Sequence, residues 1–302
     1  MSEPGNPHDH FFKALLGEPG RARDFVRRYL PEEVTRELLV DELRPCDSAF
    51  VDRKLASHHT DLLYRAPLHS GDEAYIYFLF EHKSQPERWL VLDLLRYVLR
   101  IWEAEREAEN PAYLPPIFPL VLYHGRKPWG APRRLREVIA GPAHLQASMP
   151  ELSYALMDLG TYEDAELRGA VELRVGLLAL KHIFRPELRE RLPGILGLMQ
   201  ELDRQSTGLA YLETVLRYFA TGAPDLEERG LREAVSRALP HSEEDLMGTI
   251  AEQWEARGKA EGKAEDVLTV LRTRFGAVKE SEAEWLRQQS AERLDRFLER
   301  AV

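Results

Sequence analysis

The feature that most constrains the fold of this chain is a strongly apolar run, Tyr75–Phe80, that ends abruptly in the charged sequence Glu81-His82-Lys83. A second apolar run, Asp61–Arg65, opens with an acid, and residues 69–73 between the two runs are rich in turn-forming residues. Aromatic and aliphatic runs separated by such a segment predict an antiparallel β-hairpin. The sequence therefore predicts two neighbouring strands with charged residues at the end away from the turn.

The turn also predicts which residues of the hairpin lie opposite each other, because turn length sets the register. If Ala66 lies opposite Tyr75, counting along both strands brings Asp61 close to Phe80 or Glu81. We therefore expect two acids to meet where the two strands come together.

Two acids and a lysine in this position are suited to a metal site that hydrolyses phosphodiesters. Side chains alternate along a strand, so Glu81 and Lys83 are expected on one side and His82 on the other. Mg²⁺ prefers oxygen ligands and keeps several waters, so Asp61, Glu81 and the backbone carbonyl of His82 suffice; Mn²⁺ or Ca²⁺ fit the same donors. Lys83 would orient the attacking hydroxide or stabilise developing negative charge. The Glu-x-Lys spacing alone is also common on solvated surfaces.

A long helix and a third strand are predicted to complete an α/β core with helices on the faces of the sheet. The nearly unbroken apolar run Ile117–Tyr123 is typical of a strand covered on both faces, although its Pro119 argues against a central position. The helix follows Pro86, and its large apolar residues recur at spacings that predict a single stripe packed into the core. That stripe consists of Trp89, Leu92, Leu95, Leu99 and Trp102.

The rest of the chain is predicted to be mainly helical. We assign residues 1–140 to the α/β core, residues 141–252 to a helical extension, and residues 253–302 to a C-terminal helical module. The module is suited to self-association, so we expect a homo-oligomer. The segment that begins at Gln253 alternates charges and contains two glycines, which indicates a poorly packed helix or a hinge.

Charge bears on whether the protein binds nucleic acid. The net charge of −10 argues mildly against a general nucleic-acid binder, because binding phosphates requires clustered Lys and Arg. The first 140 residues carry 20 basic and 22 acidic side chains, so a DNA-binding face fits there. Arg96 and Arg100 can instead pair with Glu103 and Glu107 along the helix. The candidate DNA contacts are Arg96, Arg100, Arg126, Lys127, Arg133 and Arg134.

Other sequence features restrict the location and the remaining candidate sites. No apolar run approaches the length of a membrane helix and no signal peptide is evident, so a cytoplasmic protein without a membrane partner is expected. The single cysteine, Cys46, excludes an internal disulfide and a multi-cysteine zinc site. The run His8-Asp9-His10 fits either a metal site or a polar helix start. His124 either faces the strand ends or is a structural loop residue.

Several motifs in a fixed order resemble a known family. They are His8–Lys13, Asp61–Tyr64, Phe80–Ser84, Leu95–Glu103 and Val121–Gly125. Together they are similar to the bacterial Rpn family of recombination-promoting nucleases, the YhgA-like proteins of the PD-(D/E)XK nuclease superfamily, over roughly residues 8–250. The resemblance implies a restriction-endonuclease-like core with a mixed sheet, followed by a mainly helical C-terminal half. It also implies a Mg²⁺-dependent DNA endonuclease that leaves 5′-phosphate ends and acts in recombination, mobile elements or defence.

By this resemblance Asp61 is the first acid of the nuclease motif, Glu81 the second and Lys83 its lysine, where the family often has glutamine. Thr60 stands where the superfamily name has proline. The N-terminal helix often supplies a further acid, for which Asp9 and Glu18 are candidates. The alternative is a DNA-binding or assembly protein on a nuclease fold, with weak or regulated activity. The overall acidity favours that alternative, and the intact Asp, Glu and Lys set favours the enzyme.

Overall fold

The computed structural model describes residues 6–46, 60–81, 87–109, 112–200, 208–223, 225–287, 289 and 291–301. The chain forms two compact units, one from His8 to Leu188 and another that begins at Arg189. The strands are β1 (Arg44–Pro45), β2 (Thr60–Pro67), β3 (Glu73–Glu81), β4 (Ile117–Tyr123) and β5 (Ala155–Asp158). The helices are α1 (Pro7–Leu16), α2 (Pro19–Tyr29), α3 (Glu32–Thr35), α4 (Leu90–Glu109), α5 (Ala143–Gln146), α6 (Val171–His182), α7 (Leu188–Gly197), α8 (Leu209–Gly222), α9 (Glu228–Ala238), α10 (Glu243–Phe275), α11 (Glu280–Arg287) and α12 (Ala291–Ala301).

The first unit is built on a mixed sheet of five strands in the order β1-β2-β3-β4-β5. The predicted antiparallel hairpin of β2 and β3 is confirmed, but Ala66 pairs with Ala74 rather than with Tyr75. β4 runs parallel to β3, and β5 runs parallel to β4. A parallel neighbour requires a crossover, which α4 provides between β3 and β4. The α/β class predicted from the sequence is therefore confirmed.

Helices cover both faces of the sheet because successive residues of β2 and β3 point to opposite sides. On one face, Tyr77 packs against Tyr97 of α4 with ring centroids 5.4 Å apart. On the other face, the Tyr64 hydroxyl donates a 2.6 Å hydrogen bond to the carbonyl of Leu16 at the end of α1. Each buried side chain of the hairpin therefore packs against the helices on its own side of the sheet.

The predicted core stripe of α4 is wrong. Trp89, Leu92 and Leu99 are 53%, 42% and 47% exposed, and Leu95 and Trp102 are only partly buried. The buried face of α4 is instead formed by Leu90, Val91, Leu94, Tyr97, Val98 and Ile101. Both stripes recur at helical spacing, and the sequence pattern alone did not show which of them faces the sheet.

β4 is an interior strand of the sheet despite Pro119. The β4–β5 pairing begins at Leu120, so Pro119 lies where β4 has only β3 as a neighbour and one side makes no ladder hydrogen bond. β5 lies within residues 141–252, a stretch that was expected to be helical. The boundaries of the predicted domains themselves stay predictions.

The secondary-structure elements that the structure describes in the second unit are all helices. Helix α10 runs without interruption through Gly258 and Gly262, so the segment predicted as a poorly packed helix or a hinge is a helix. The end of α10 packs with α11 and α12 in a small core that includes Leu268, Leu286 and Leu294. No helix in the described part of the chain has an apolar stretch that could cross a membrane.

A substitution at Gly176 tests the close approach of α6 to α1. A Cβ at this position would lie 2.7 Å from Leu15 Cδ2 and nearer still to Cδ1, and Leu15 is fully buried. We therefore expect Gly176→Ala to lower the free energy of unfolding by about 1–3 kcal/mol through overpacking. Circular dichroism in urea measures this change.

The matched control is Gly258→Ala, because a Cβ at the exposed Gly258 of α10 would meet no atom within 4 Å. Alanine is favoured over glycine inside a helix by about 1 kcal/mol, so this variant should be as stable as the wild type or more stable. Stabilisation by both substitutions would contradict the packing of α6 on α1.

Candidate functional site

The two acids proposed as metal ligands, Asp61 and Glu81, lie at one end of the sheet. β3, β4 and β5 end there, and the antiparallel β2 begins there, so Asp61 and Glu81 lie at the same end. Glu81 pairs with Tyr123 of β4, and Tyr123 pairs with Asp158 of β5. We call this the site end of the sheet. Ligands of α/β proteins commonly bind beyond the carboxyl ends of parallel strands.

The register places positions 61 and 81 on one face of the sheet. Asp61 pairs with Leu79, whereas the predicted partner was Phe80 or Glu81. Directly opposite residues share a face, and so do residues two apart on one strand, so Leu79 links the two acidic positions. A partner at Phe80 would have placed them on opposite faces. A pairing of Asp61 with Phe80 would therefore have been incompatible with a shared site. The observed pairing with Leu79 keeps positions 61 and 81 on one face.

Positions 61 and 81 are diagonal neighbours on the face of the sheet that packs against α4, the face of Leu63 and Tyr77. Diagonal neighbours on paired strands lie about 7–8 Å apart, which is within reach of an Asp and a Glu that share one cation. The side chains at 61 and 81 lie outside the described part of the structure, as do His82 and Lys83 entirely. The metal ligands and the lysine therefore stay predictions. The side chains that are described include no group of three or more His, Cys, Asp or Glu placed to hold a metal ion.

His124 follows β4 directly and connects the end of this strand to α6 and α1. Its Nδ1 lies 3.0 Å from the carbonyl oxygen of Leu180 in α6, and since a carbonyl only accepts, Nδ1 carries the proton. Its ring lies 5.4 Å from the ring of His8 and 5.2 Å from that of Phe184. The side chain is 2% exposed. These contacts favour the structural interpretation of His124.

Helix α1 begins at the site end because His8 packs on His124. The neighbouring Asp9 therefore lies at this end as well, whereas His10 is exposed. Glu18 has a different role: its carboxylate accepts hydrogen bonds from the N–H groups of Gly20 and Arg21 and caps α2. These hydrogen bonds and nearby arginines lower the pKa of Glu18 despite partial burial, which raises it. Glu18 is therefore used as a helix cap, whereas Asp9 lies in the first turn of α1 at the site end.

The candidate DNA contacts fall into three groups. Arg126 and Lys127 are exposed and follow directly on β4 at the site end. Arg133 and Arg134 are also exposed but lie at the opposite end, where the carbonyl of Arg133 accepts from the N–H of Tyr154 just before β5. The third group, on α4, is ion-paired along the helix. Arg96 lies 3.3 Å from Asp93, and Arg100 lies 2.9 Å from Glu103.

Sequence reasoning missed a polar cluster beyond β5, in which the buried side chains of Lys181 and His182 contact the partly exposed Asp164. Lys181 Nζ lies 2.5 Å from Asp164 Oδ1 and 2.6 Å from the carbonyl oxygen of Tyr162, and His182 Nε2 lies 2.9 Å from Asp164 Oδ1. Burial lowers the pKa of His182 below its ordinary value, although Asp164 acts in the opposite direction. The hydrogen bonds from Lys181 and His182 lower the pKa of Asp164, against the effect of its own burial. Lys181 and His182 are adjacent, but Asp164 lies 17 residues before Lys181, and no sequence motif links it to them.

Asp158, at the end of β5, was missed as well. Its carboxylate accepts from the N–H of Gly160 at 2.8 Å and from the N–H of Trp129 at 3.3 Å. Asp158 thus ties the loop that carries Arg126 and Lys127 to the chain that leaves β5. These two hydrogen bonds give the carboxylate of Asp158 a structural role that requires no ligand.

Comparison with known proteins places these features in a family. The model of a family described as putative transposase, YhgA-like, matches residues 6–210. The recombination-promoting nuclease RpnD of Escherichia coli O157:H7 is 30% identical over 82% of this chain and 93% of its own length. RpnA of Escherichia coli K12, also named a recombination-promoting nuclease, is 26% identical over 89% of this chain and 90% of its own length.

Some relatives are named inactive nuclease-like proteins. RpnE of Escherichia coli K12, named an inactive recombination-promoting nuclease-like protein, is 25% identical over 85% of this chain and 84% of its own length. No solved structure matches the chain significantly.

Lowering the pH should reduce the stability of the folded protein, because His182 is buried. Because burial lowers its pKa in the folded protein, the unfolded chain binds a proton there more readily, and stability falls as pH drops below about 6.5. We expect the melting temperature of the wild type to fall between about pH 7 and pH 5. His182→Gln keeps a donor for Asp164 without the titration and should reduce this fall.

The exposed His144 supplies the control, since His144→Gln should retain the wild-type dependence on pH. Differential scanning calorimetry of the three proteins across the pH range makes the comparison. Parallel curves for the wild type and His182→Gln would show that His182 does not contribute to acid sensitivity.

Proposed function

Because the chain belongs to the YhgA-like family of putative transposases, whose curated relatives include recombination-promoting nucleases, we propose that it is a metal-dependent DNA endonuclease with a PD-(D/E)XK core. The observation that carries the proposal is the hairpin register, which puts positions 61 and 81 on one face at the site end. A mixed sheet whose register puts these two acidic positions on one face supports the metal site expected from the sequence.

In the proposed site, Asp61, Glu81 and the backbone carbonyl of His82 would hold Mg²⁺. When bound, the ion would supply a Lewis acid for the phosphoryl oxygen and promote deprotonation of the attacking water. Lys83 lies two residues beyond Glu81 and contributes a fixed positive charge beside the scissile phosphate. Asp9 of α1 is the candidate for a further acid, because Glu18 caps α2.

We propose Arg126 and Lys127 as the main contacts to the DNA backbone. They follow β4 at the site end, and the guanidinium of Arg126 is held over the ring of Phe184, 5.7 Å from its centroid. Arg96 and Arg100 are weaker candidates because Asp93 and Glu103 already balance their charges. The net charge of −10 also favours a local basic contact over a broad basic surface.

The proposed setting is DNA recombination, mobile elements or defence in the cytoplasm, with self-association through the C-terminal module. A second candidate function is DNA binding on a nuclease fold with weak or regulated cleavage. The observation in its favour is that relatives of similar identity are named inactive.

Plasmid cleavage tests the endonuclease. The wild-type protein with Mg²⁺ should nick supercoiled plasmid, and chelation with EDTA should stop the reaction. Asp61→Ala, Glu81→Ala and Lys83→Ala should each lower the cleavage rate by at least about 10²-fold, because each removes a ligand or charge that acts on the reacting phosphate. Gel electrophoresis over a time course measures the rates.

Asp72→Ala is the matched control, since Asp72 is an exposed acid in the turn at the other end of the same hairpin. It should cut like the wild type. Equal cleavage by every variant would indicate a contaminating nuclease and would remove the proposed site. Binding of DNA without cleavage by the wild type would support the second candidate function.

A separate measurement tests the DNA contacts. The double variant Arg126→Ala, Lys127→Ala should bind a labelled duplex roughly tenfold more weakly than the wild type. Its affinity should also fall less steeply with salt concentration, by the amount expected for the loss of about two phosphate contacts. Fluorescence anisotropy across a salt series provides both values. The control pair Arg133→Ala, Arg134→Ala lies at the opposite end of the sheet and should bind like the wild type. The reverse ranking of the two pairs would assign the DNA to the other end.

A further inference from the structure

A group of charged side chains lies on the α4 side of the hairpin, beside an otherwise apolar layer. Glu105 of α4 is 4% exposed and accepts a hydrogen bond from the hydroxyl of Tyr75. Arg65 Nη2 lies 3.6 Å from Glu105 Oε2, and the guanidinium lies over the ring of Tyr75, 5.6 Å from its centroid. A glutamate is almost never fully buried unless it is paired. The partners of this one, Arg65 and Tyr75, face each other across β2 and β3.

Glu73 connects this group to β1. Its carboxylate forms an ion pair with Arg65 and lies 3.0 Å from Arg44 Nη2. Arg44 and Arg65 are directly opposite each other in the β1–β2 pairing, where like charges repel, and Glu73 offsets that repulsion. We call Arg44, Arg65, Glu73, Tyr75 and Glu105 the hairpin cluster. It joins β1, β2, β3 and α4.

The apolar side chains of the hairpin do not by themselves distinguish one register from another. Leu63 and Tyr77 are buried on the α4 side, and Tyr64 and Phe78 are buried against each other on the opposite side. A slip of one residue in β2 would exchange one apolar set for the other, because side chains alternate along a strand. The turn favours the observed register at one end of the hairpin. Within the strands, the charged residues make the distinction.

The hairpin cluster fits only the observed register. A slip of one residue would move Arg65 to the face of Tyr64 and leave the buried carboxylate of Glu105 without its cation. A slip of two residues would keep the face but move Arg65 by about 7 Å along the strand. A buried charge without its partner is costly, and selecting one arrangement over others is the best-supported use of buried ion pairs.

We propose that Arg65 and Glu105 are positioning residues of the candidate metal site, and that they act by fixing the β2–β3 register. Arg65 lies about 14 Å along the strand from position 61, too far for contact with a cation held there. The register carries the effect, because the observed pairing is what puts positions 61 and 81 on one face. The consequence for cleavage rests on the proposed endonuclease, whereas the role in register does not.

The double variant Arg65→Met, Glu105→Leu tests the proposal. Apolar replacement of a buried ion pair often preserves stability, so this variant separates the register from the stability of the fold. We expect a folded protein whose hairpin amides, in peptides from residues 60–81, exchange with deuterium at least about tenfold faster than in the wild type, because each slip breaks the hydrogen-bond ladder. Mass spectrometry measures the exchange, with neither DNA nor metal present.

Cleavage by the same variant tests the link to the site. With Mg²⁺, the kcat for plasmid nicking should fall at least about tenfold, because positions 61 and 81 share a face in only part of the population. The KM should stay within about twofold of the wild-type value, since the proposed DNA contacts Arg126 and Lys127 are unchanged. A time course of nicking at several plasmid concentrations gives both values.

Two further variants make the comparison decisive. The matched control is Arg229→Met, Glu233→Leu, which removes an ion pair of 2.8 Å from the exposed side of α9 in the unit that begins at Arg189. It should exchange and cleave like the wild type. Glu105→Gln keeps the volume and an oxygen that accepts from Tyr75, and it removes only the charge. It should change hairpin exchange and kcat in the same direction by a smaller factor, and it decides the test if circular dichroism shows that the double variant does not fold.

Three results would overturn the proposal. Hairpin exchange at the wild-type rate in a folded variant would remove the role in register. Faster exchange spread evenly over the first unit would do the same, because it indicates a general loss of stability. Faster hairpin exchange with undiminished cleavage would separate the register from the site. A wild type that does not cleave contradicts the endonuclease alone, and the exchange rates still decide the role of the hairpin cluster in register.

Discussion

The pairing of β3 with both of its neighbours is the constraint on which the first unit depends. β3 is antiparallel to β2 and parallel to β4, so the start of one neighbour and the end of the other meet at the same end of the sheet. Because side chains alternate along a strand, this register also fixes which residues face α4 and which face α1 and α2. A shift of one residue in the β2–β3 pairing would exchange these faces along β2 and separate positions 61 and 81. The core and the candidate site therefore depend on the same hydrogen-bond ladder.

Buried polar contacts hold the other elements at the site end. His124 joins β4 to α6, Asp158 joins the end of β5 to the loop after β4, and Asp164 lies between Lys181 and His182. Burying such groups is costly unless each finds a partner, so these contacts fix the positions of the loops they connect. These contacts hold the loop that carries Arg126 and Lys127, as well as the end of β4 that pairs with Glu81, so the geometry of the proposed site depends on the same contacts as the stability of the fold.

The two sides of α4 show that helical spacing alone does not identify the buried side of a helix. Its inner side supplies Leu90, Leu94, Tyr97 and Ile101 to the core, and its outer side presents a second apolar row. The sequence has two apolar stripes at helical spacing, and the prediction chose the one that contains Trp89 and Trp102. In the structure the other stripe packs on the sheet.

The sequence by itself determined the elements whose signals are local, namely the β2–β3 hairpin and the continuous apolar strand β4, and it also indicated the family. It also supplied the acids Asp61 and Glu81 as candidates, because each borders a strand whose composition is unmistakable. Only the tertiary structure decided the register that puts positions 61 and 81 on one face, the side of α4 that is buried, and the strand β5. It alone brought together Asp164, Lys181 and His182. These features depend on contacts between residues far apart in the chain, and such contacts leave no periodic trace in the sequence.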